Sequence, residues 1–262
     1  MSALPRFEHE SDDDLHLESL GGRMGFLEHL EELRRRLIVS LVAIAVGFCG
    51  SLFFAEEIFT FVMTPLRHAL PPGGHLVYMD GAEMFVVSLQ ISFLAGVVVA
   101  APVIMLQAWL FIAPGLYVHE KRLAIPFVLS ATLCFVGGAA FSHYVSFPAA
   151  SRFFASFATG FVEFQPRVSS ALSLYIRMLL ACALAFQLPT VTMFLARMRL
   201  VTARWMLRNF KYAVLGVFVI AALVTPDGSP VSQVTLAVPM LALYVLSIGV
   251  AFVFAPRRRP ST

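Results

Sequence analysis

Long apolar runs dominate this chain and constrain its fold more than any other feature. They cover residues 37–55, 84–112, 123–147, 171–196, 212–224 and 233–254. A helix needs about 20 mostly apolar residues to cross the hydrocarbon of a bilayer. Backbone N–H and C=O groups find no water there, so a span must close its own hydrogen bonds as a helix or a closed barrel. Runs of this length read as helices. The fifth run has thirteen residues, about 20 Å of helix, and falls short of the ~30 Å hydrocarbon thickness. The second, interrupted by Pro102, would reach about 44 Å and must be tilted or kinked.

Composition agrees with this reading. Charged residues are 13% of the 262, hydrophobic residues 59%, and mean hydropathy is +0.82. A soluble domain carries about 25% charge, so much of this surface faces something other than water. Cys49, Cys134 and Cys182 all fall inside apolar runs. Their odd number and their spacing fit no metal site, and they read as packing residues. The first 23 residues are polar and acidic, which predicts a disordered tail. The first apolar run after Arg34, Arg35 and Arg36 reads as a retained span, not a removed leader.

Topology follows from charge. Residues 1–36, the connector at 114–122, the segment at 197–211 and the C-terminal 256–262 hold 15 of the 19 Lys and Arg residues. Arg67, Arg152, Arg167 and Arg177 make up the rest. The positive-inside rule then places both termini in the cytoplasm and the turn-rich stretches 58–81 and 148–170 outside. The membrane domain is bounded at 24–255, and a basic cytoplasmic tail follows it. This is an all-α integral membrane protein of six transmembrane helices, N-in and C-in.

Polar residues near or inside these runs are the candidate functional groups. Leu27, Leu30, Leu33 and Leu37 recur at helical spacing before the first span, so an amphipathic helix runs on into the membrane. Its acids and bases fit i,i+4 pairs, Glu31 with Arg35 and Glu32 with Arg36. Glu120 is the one acid beyond that segment on the basic side; it either pairs with Lys121 or Arg122, or receives an incoming guanidinium. Gln187 lies mid-membrane, where an amide faces a neighbouring helix or a cavity, and Pro189 suggests a kink beside it. Arg177 should snorkel outward. No nucleophile–base pair, metal cluster or phosphate loop is evident, and the basic residues follow membrane topology and do not suggest nucleic acid. The chain lacks the internal repeat of many small-solute secondary transporters, which stand as the alternative reading.

Five blocks carry a resemblance. They are His29-Leu30-Glu31-Glu32-Leu33-Arg34-Arg35-Arg36, then Phe111 to Tyr117 with Glu120-Lys121-Arg122, then Phe141 to Pro148, then Phe186-Gln187-Leu188-Pro189, then Thr225-Pro226 through Ser232-Gln233. In this order they resemble the signature blocks of the twin-arginine translocase C subunit family, TatC, over about residues 24–254. The resemblance implies a concave six-span bundle whose last two spans are short. It implies a non-enzymatic receptor in the cytoplasmic (inner) membrane, without cofactor or metal and driven by the proton-motive force. Glu32 and Glu120 match the family's recognition carboxylates for the paired arginines of a signal peptide. Leu33, Arg34, Phe111 and Arg122 match further signal-peptide positions. Pro65, Gln187, Asp227 and Gln233 match positions of the groove or of partner contact, with Ser229 the alternative to Asp227 for the acidic place in the last loop. The implied partners are twin-arginine signal peptides of folded proteins, single-span TatA and TatB type subunits, and membrane lipid, in a multimeric complex. His143 stands where the family usually has an aromatic residue and reads as a packing residue.

Overall fold

A computed structural model describes residues 12–71, 74–112, 124–159, 164–198, 200–225 and 230–254, with side chains from Leu27 onward in the first helix. The described residues are almost wholly helical and include no strand. Five helices are long and apolar enough to cross a membrane: Leu27–Leu52, Glu83–Phe111, Ile125–Ala155, Val168–Arg197 and Gln233–Val253. A sixth apolar helix, Phe210–Val224, is shorter.

Helix α1, Asp12–Leu52, has 41 residues. At 1.5 Å per residue it is about 61 Å long, roughly twice the hydrocarbon thickness, so one half stands outside the membrane. It already begins at Asp12, within the stretch that composition predicts to be disordered. A short break at Phe53–Phe54 separates α1 from α2, Ala55–Arg67. This helix takes up the first part of the turn-rich stretch, and Pro65 sits inside it. It is amphipathic, and Val62, Met63 and Leu66 are buried on one face. Burying each from water contributes about 1.5–3 kcal/mol, enough to fix α2 as a cap over one end of the bundle.

Helix α3, Glu83–Ile112, passes through Pro102 without ending. Helix α4, Ala124–Phe141, runs through a π-turn, Ser142–Ser146, into α5, Phe147–Ala155. The third span therefore continues past residue 147, where the sequence suggests a turn-rich loop. Pro148 falls just after the π-turn, in the first turn of α5, and does not end the span. Pro189 follows a break at Phe186 and Gln187. It cannot donate to the carbonyl four residues earlier and clashes with it, so the fourth span divides into α6, Val168–Ala185, and α7, Leu188–Arg197. Thr202 caps the short α8, Ala203–Arg208, by accepting from the Trp205 backbone N–H. Then come α9, Phe210–Val224, and α10, Pro230–Phe254. The 25 residues of α10 make about 37 Å of helix, a full span. Its membrane-crossing part, Gln233–Val253, has 21 residues, the shortest of the five long spans, and α9 is shorter still. Pro230 opens α10, and Pro239 lies inside it without ending it.

Hydrophobicity does not drive helix association inside lipid, so close backbone approach must. A Cβ on Gly47 would lie 2.8 Å from the Gly96 carbonyl oxygen, and one on Gly96 2.6 Å from the Phe48 nitrogen. This crossing holds α1 to α3. Gly138 meets Ala183 as closely and joins α4 to α6. Under the α2 cap lies the largest core, with Ile91, Phe147, Leu172 and Tyr175 fully buried. His143 on the π-turn stacks on Phe61 at 4.2 Å, and its Nδ1 is 3.1 Å from the Tyr175 hydroxyl. Burial among aromatic rings is the packing role expected of it.

Candidate functional site

One end of the bundle gathers cations. It is formed by α1 as far as Arg36, the last turns of α3, α7 and α10, and α8. Trp109 of α3 lies against Phe127 of α4 and Phe194 of α7, with ring centroids 4.3 and 5.5 Å away. Tyr244 of α10 donates to the Met206 carbonyl of α8 at 3.1 Å. Arg34, Arg35, Arg36, Arg197, Arg204 and Arg208 all belong to these segments.

At this end α1 and α3 meet through two contacts one helical stretch apart. Arg36 donates from Nη2 to Glu32 Oε1 at 3.1 Å and from Nη1 to Gln107 Oε1 at 3.4 Å. His29 stacks on Phe111 at 4.5 Å with the rings 16° from parallel. Glu32 and Phe111, 79 positions apart in the chain, therefore border one surface. Arg36 holds Glu32 in place, and a carboxylate has about four lone-pair sites, so acceptor capacity remains for a second guanidinium. Leu33 and Arg34 are exposed on the same stretch of α1. Glu120 and Arg122 lie outside the described residues, in the connector that leaves the Phe111 end of α3. Arg36, Gln107 and His29 complete this surface, and spacing points to only one of their contacts, the Glu32–Arg36 pair. Gln107, a polar residue near the end of an apolar run, is the visible signal for the second.

The other candidate residues are not gathered here. Gln187 sits at the break between α6 and α7, and its Nε2 donates to the Ala131 carbonyl of α4 at 2.9 Å. Thr190 donates to Cys134 Sγ nearby at 3.4 Å. Both ties fasten the broken fourth span to α4. Gln233 donates to the Phe218 carbonyl at 2.8 Å and binds α10 to α9. Pro65 is half-buried in α2. Asp227 and Ser229 lie outside the described residues. Gln187 does not border the apolar groove of about 650 Å³ that opens between α6 and α9.

At the end opposite the cations lies a second polar cluster with no sequence signature. Glu83, its side chain 3% exposed, accepts Arg167 Nε on both oxygens, at 3.0 and 3.1 Å. The backbone N–H groups of Ser169 and Met79 add bonds of 3.0 and 2.9 Å. The hydrogen bond to Glu83 pushes the Arg167 guanidinium above its usual range. Val77 and Arg167 form an isolated bridge beside it. The cluster latches the segments at 74–80 and 164–168 to the top of α3. Among the described residues no group of His, Cys, Asp and Glu is arranged to hold a metal ion.

This arrangement has close counterparts. Residues 28–239 match the family model of TatC, the Sec-independent protein translocase protein. A TatC protein of Koribacter versatilis is 42% identical over 250 residues, which cover 94% of this chain and 91% of that one. That of Escherichia coli is 35% identical over 226 residues, 86% of each chain. A crystal structure of the twin-arginine translocase receptor TatC superimposes with a TM-score of 0.77 at 32% identity, covering 85% of this chain and 97% of that chain. Family model, relatives and fold agree that the chain belongs to the TatC family of protein translocase subunits, which are transport components and not enzymes.

Proposed function

We propose that this chain is the receptor subunit of a twin-arginine translocase. It binds the paired arginines of signal peptides on folded cargo at its basic end and nucleates assembly of the transport complex. The observation that carries this reading is the meeting of Glu32 on α1 with Phe111 at the end of α3. The contacts from Arg36 and His29 set a fixed carboxylate beside the connector that bears Glu120. Two arginines need acceptors, and a guanidinium docks bidentately on a carboxylate. At the edge of a membrane each such pair is stronger than in open water.

In this reading the basic end is cytoplasmic, both termini lie there, and the host is the cytoplasmic membrane. Leu33 and Arg34 border the same surface, and Arg122 acts with them. The signal's apolar part follows the exposed flank of the bundle. Single-span subunits of the TatA and TatB type join through the concave side, near Gln187, Gln233 and the outer end of α9, with Pro65 at the outer rim; Asp227 is a further partner-contact residue. The short α9 requires local thinning of the bilayer, which helps a folded cargo cross.

The test is binding of a twin-arginine signal peptide to the purified complex. A hydrogen bond to a charged group is worth about 1.5–3 kcal/mol, so Glu32→Ala with Glu120→Ala weakens binding by about 100-fold or more. Thermal unfolding of the double variant stays at the wild-type midpoint. Wild-type affinity in the double variant would show that the recognition site lies elsewhere.

A further inference from the structure

We infer that the outer part of the groove between α6 and α9 is a binding site for an anionic membrane phospholipid. The phosphate sits on Arg177 and an acyl chain lies along α6. Nothing in this inference depends on the receptor reading.

Arg177 lies nine residues into α6, about 13 Å from its start. A charge at such depth is costly unless it is paired or reaches the interface. Arg177 is exposed, and among the described residues no carboxylate pairs with it. Side chains on a helix tilt toward its N-terminus, and Arg177 does so. With Ser169, Ser170 and Ser173 it lines a pocket of about 250 Å³ toward the outer end of α6. The same residue also lines the apolar groove of about 650 Å³. One guanidinium is thus the shared wall of a hydroxyl-rich pocket and an apolar channel, the two halves that a phospholipid requires. Guanidinium binds phosphate bidentately, and the exposed Ser170 can supply a further donor, while Ser173 already donates to the Ser169 carbonyl.

The dimensions favour an acyl chain. From Arg177 to Leu188 the groove follows eleven residues, about 16 Å, one leaflet of a ~30 Å hydrocarbon layer. Its walls are Leu180, Leu184 and Leu188 on one side and Val217, Ile220 and Leu223 on the other. Ala181 and Ala185 of α6 and Val217 and Ala221 of α9 belong to one buried cluster beneath the groove. Gly216 lines it too, and a Cβ there would meet nothing within 4 Å.

The experiment measures lipid retained by the detergent-purified full chain after mixing with phosphatidylglycerol or phosphatidylcholine of identical chains, read by native mass spectrometry. One basic residue near a membrane surface is worth about 1 kcal/mol, so the wild type prefers phosphatidylglycerol by about fivefold. Arg177→Gln abolishes the preference, and Arg177→Lys keeps most of it. Gly216→Phe fills the groove and lowers retention of both lipids without changing the unfolding midpoint. An undiminished preference in Arg177→Gln overturns the site, as does unchanged retention in Gly216→Phe. A photo-crosslinker at Ile220 that captures a protein helix and no lipid in native membranes would overturn it as well.

Discussion

A carboxylate accepts and never donates, and at Glu83 this matters more than its charge. Arg167 Nε reaches both oxygens, the Ser169 N–H reaches Oε1 and the Met79 N–H reaches Oε2. Glutamine has the same shape but must turn its NH₂ toward one of these donors. A buried donor left facing another donor is costly. Glu83→Gln therefore lowers the unfolding midpoint in detergent by about 5 °C or more, and an unchanged midpoint would remove the latch from the account. The sequence offers no sign of this cluster. Glu83 reads as an acid bordering an apolar run, and Arg167 follows 84 positions later in a turn-rich stretch. Polar residues inside the runs behave differently. Gln187 and Arg177 are conspicuous because hydrocarbon offers them no water, so their partners, the Ala131 carbonyl and a serine-lined pocket, are worth seeking from the sequence alone. Which partner each finds depends on tertiary distances that spacing does not encode.

Elements follow the same division. Apolar runs reveal the long helices, because the bilayer leaves the backbone few alternatives. Shorter decisions are local and were less legible. Pro65, Pro148 and Pro189 are chemically identical, yet the first two lie inside or at the start of helices and the third stands at a break. Glycines are equally ambiguous in sequence and distinct in the fold. Gly50 has nothing within 4 Å of an added Cβ, while one on Gly96 would collide with the Phe48 backbone at 2.6 Å. The crossing at Gly47 and Gly96 holds α1 on α3, and α1 carries Glu32 to Phe111. Gly96→Ala should push the two helices apart by a few tenths of an ångström or more, weaken signal-peptide binding about tenfold and lower the unfolding midpoint. Gly50→Ala, on α1 itself, leaves both unchanged. Equal behaviour of the two variants would separate the binding surface from this crossing.

At the scale of the molecule, charge sorts the two ends. The α1, α7 and α8 segments bring six arginines to one end, while Arg67, Arg152 and Arg167 lie at or near the other. The broad architecture was legible because both hydropathy and charge act through the membrane, a solvent that is the same for every chain. The helical start of α1 was not legible, since it depends on where a helix ends once it leaves the apolar run. The charge bias is also a statement about orientation that can be checked directly. With Cys49, Cys134 and Cys182 replaced by alanine, a single cysteine is placed at the exposed position of His75 or of Arg204. The positive-inside rule puts Arg204 in the cytoplasm and His75 outside. A membrane-impermeant maleimide added to intact spheroplasts then labels His75→Cys, and it labels Arg204→Cys only after the membrane is opened. Labelling of Arg204→Cys in sealed cells would invert the molecule. The Glu32 surface would then face away from newly made cargo, and the receptor assignment would fall with it.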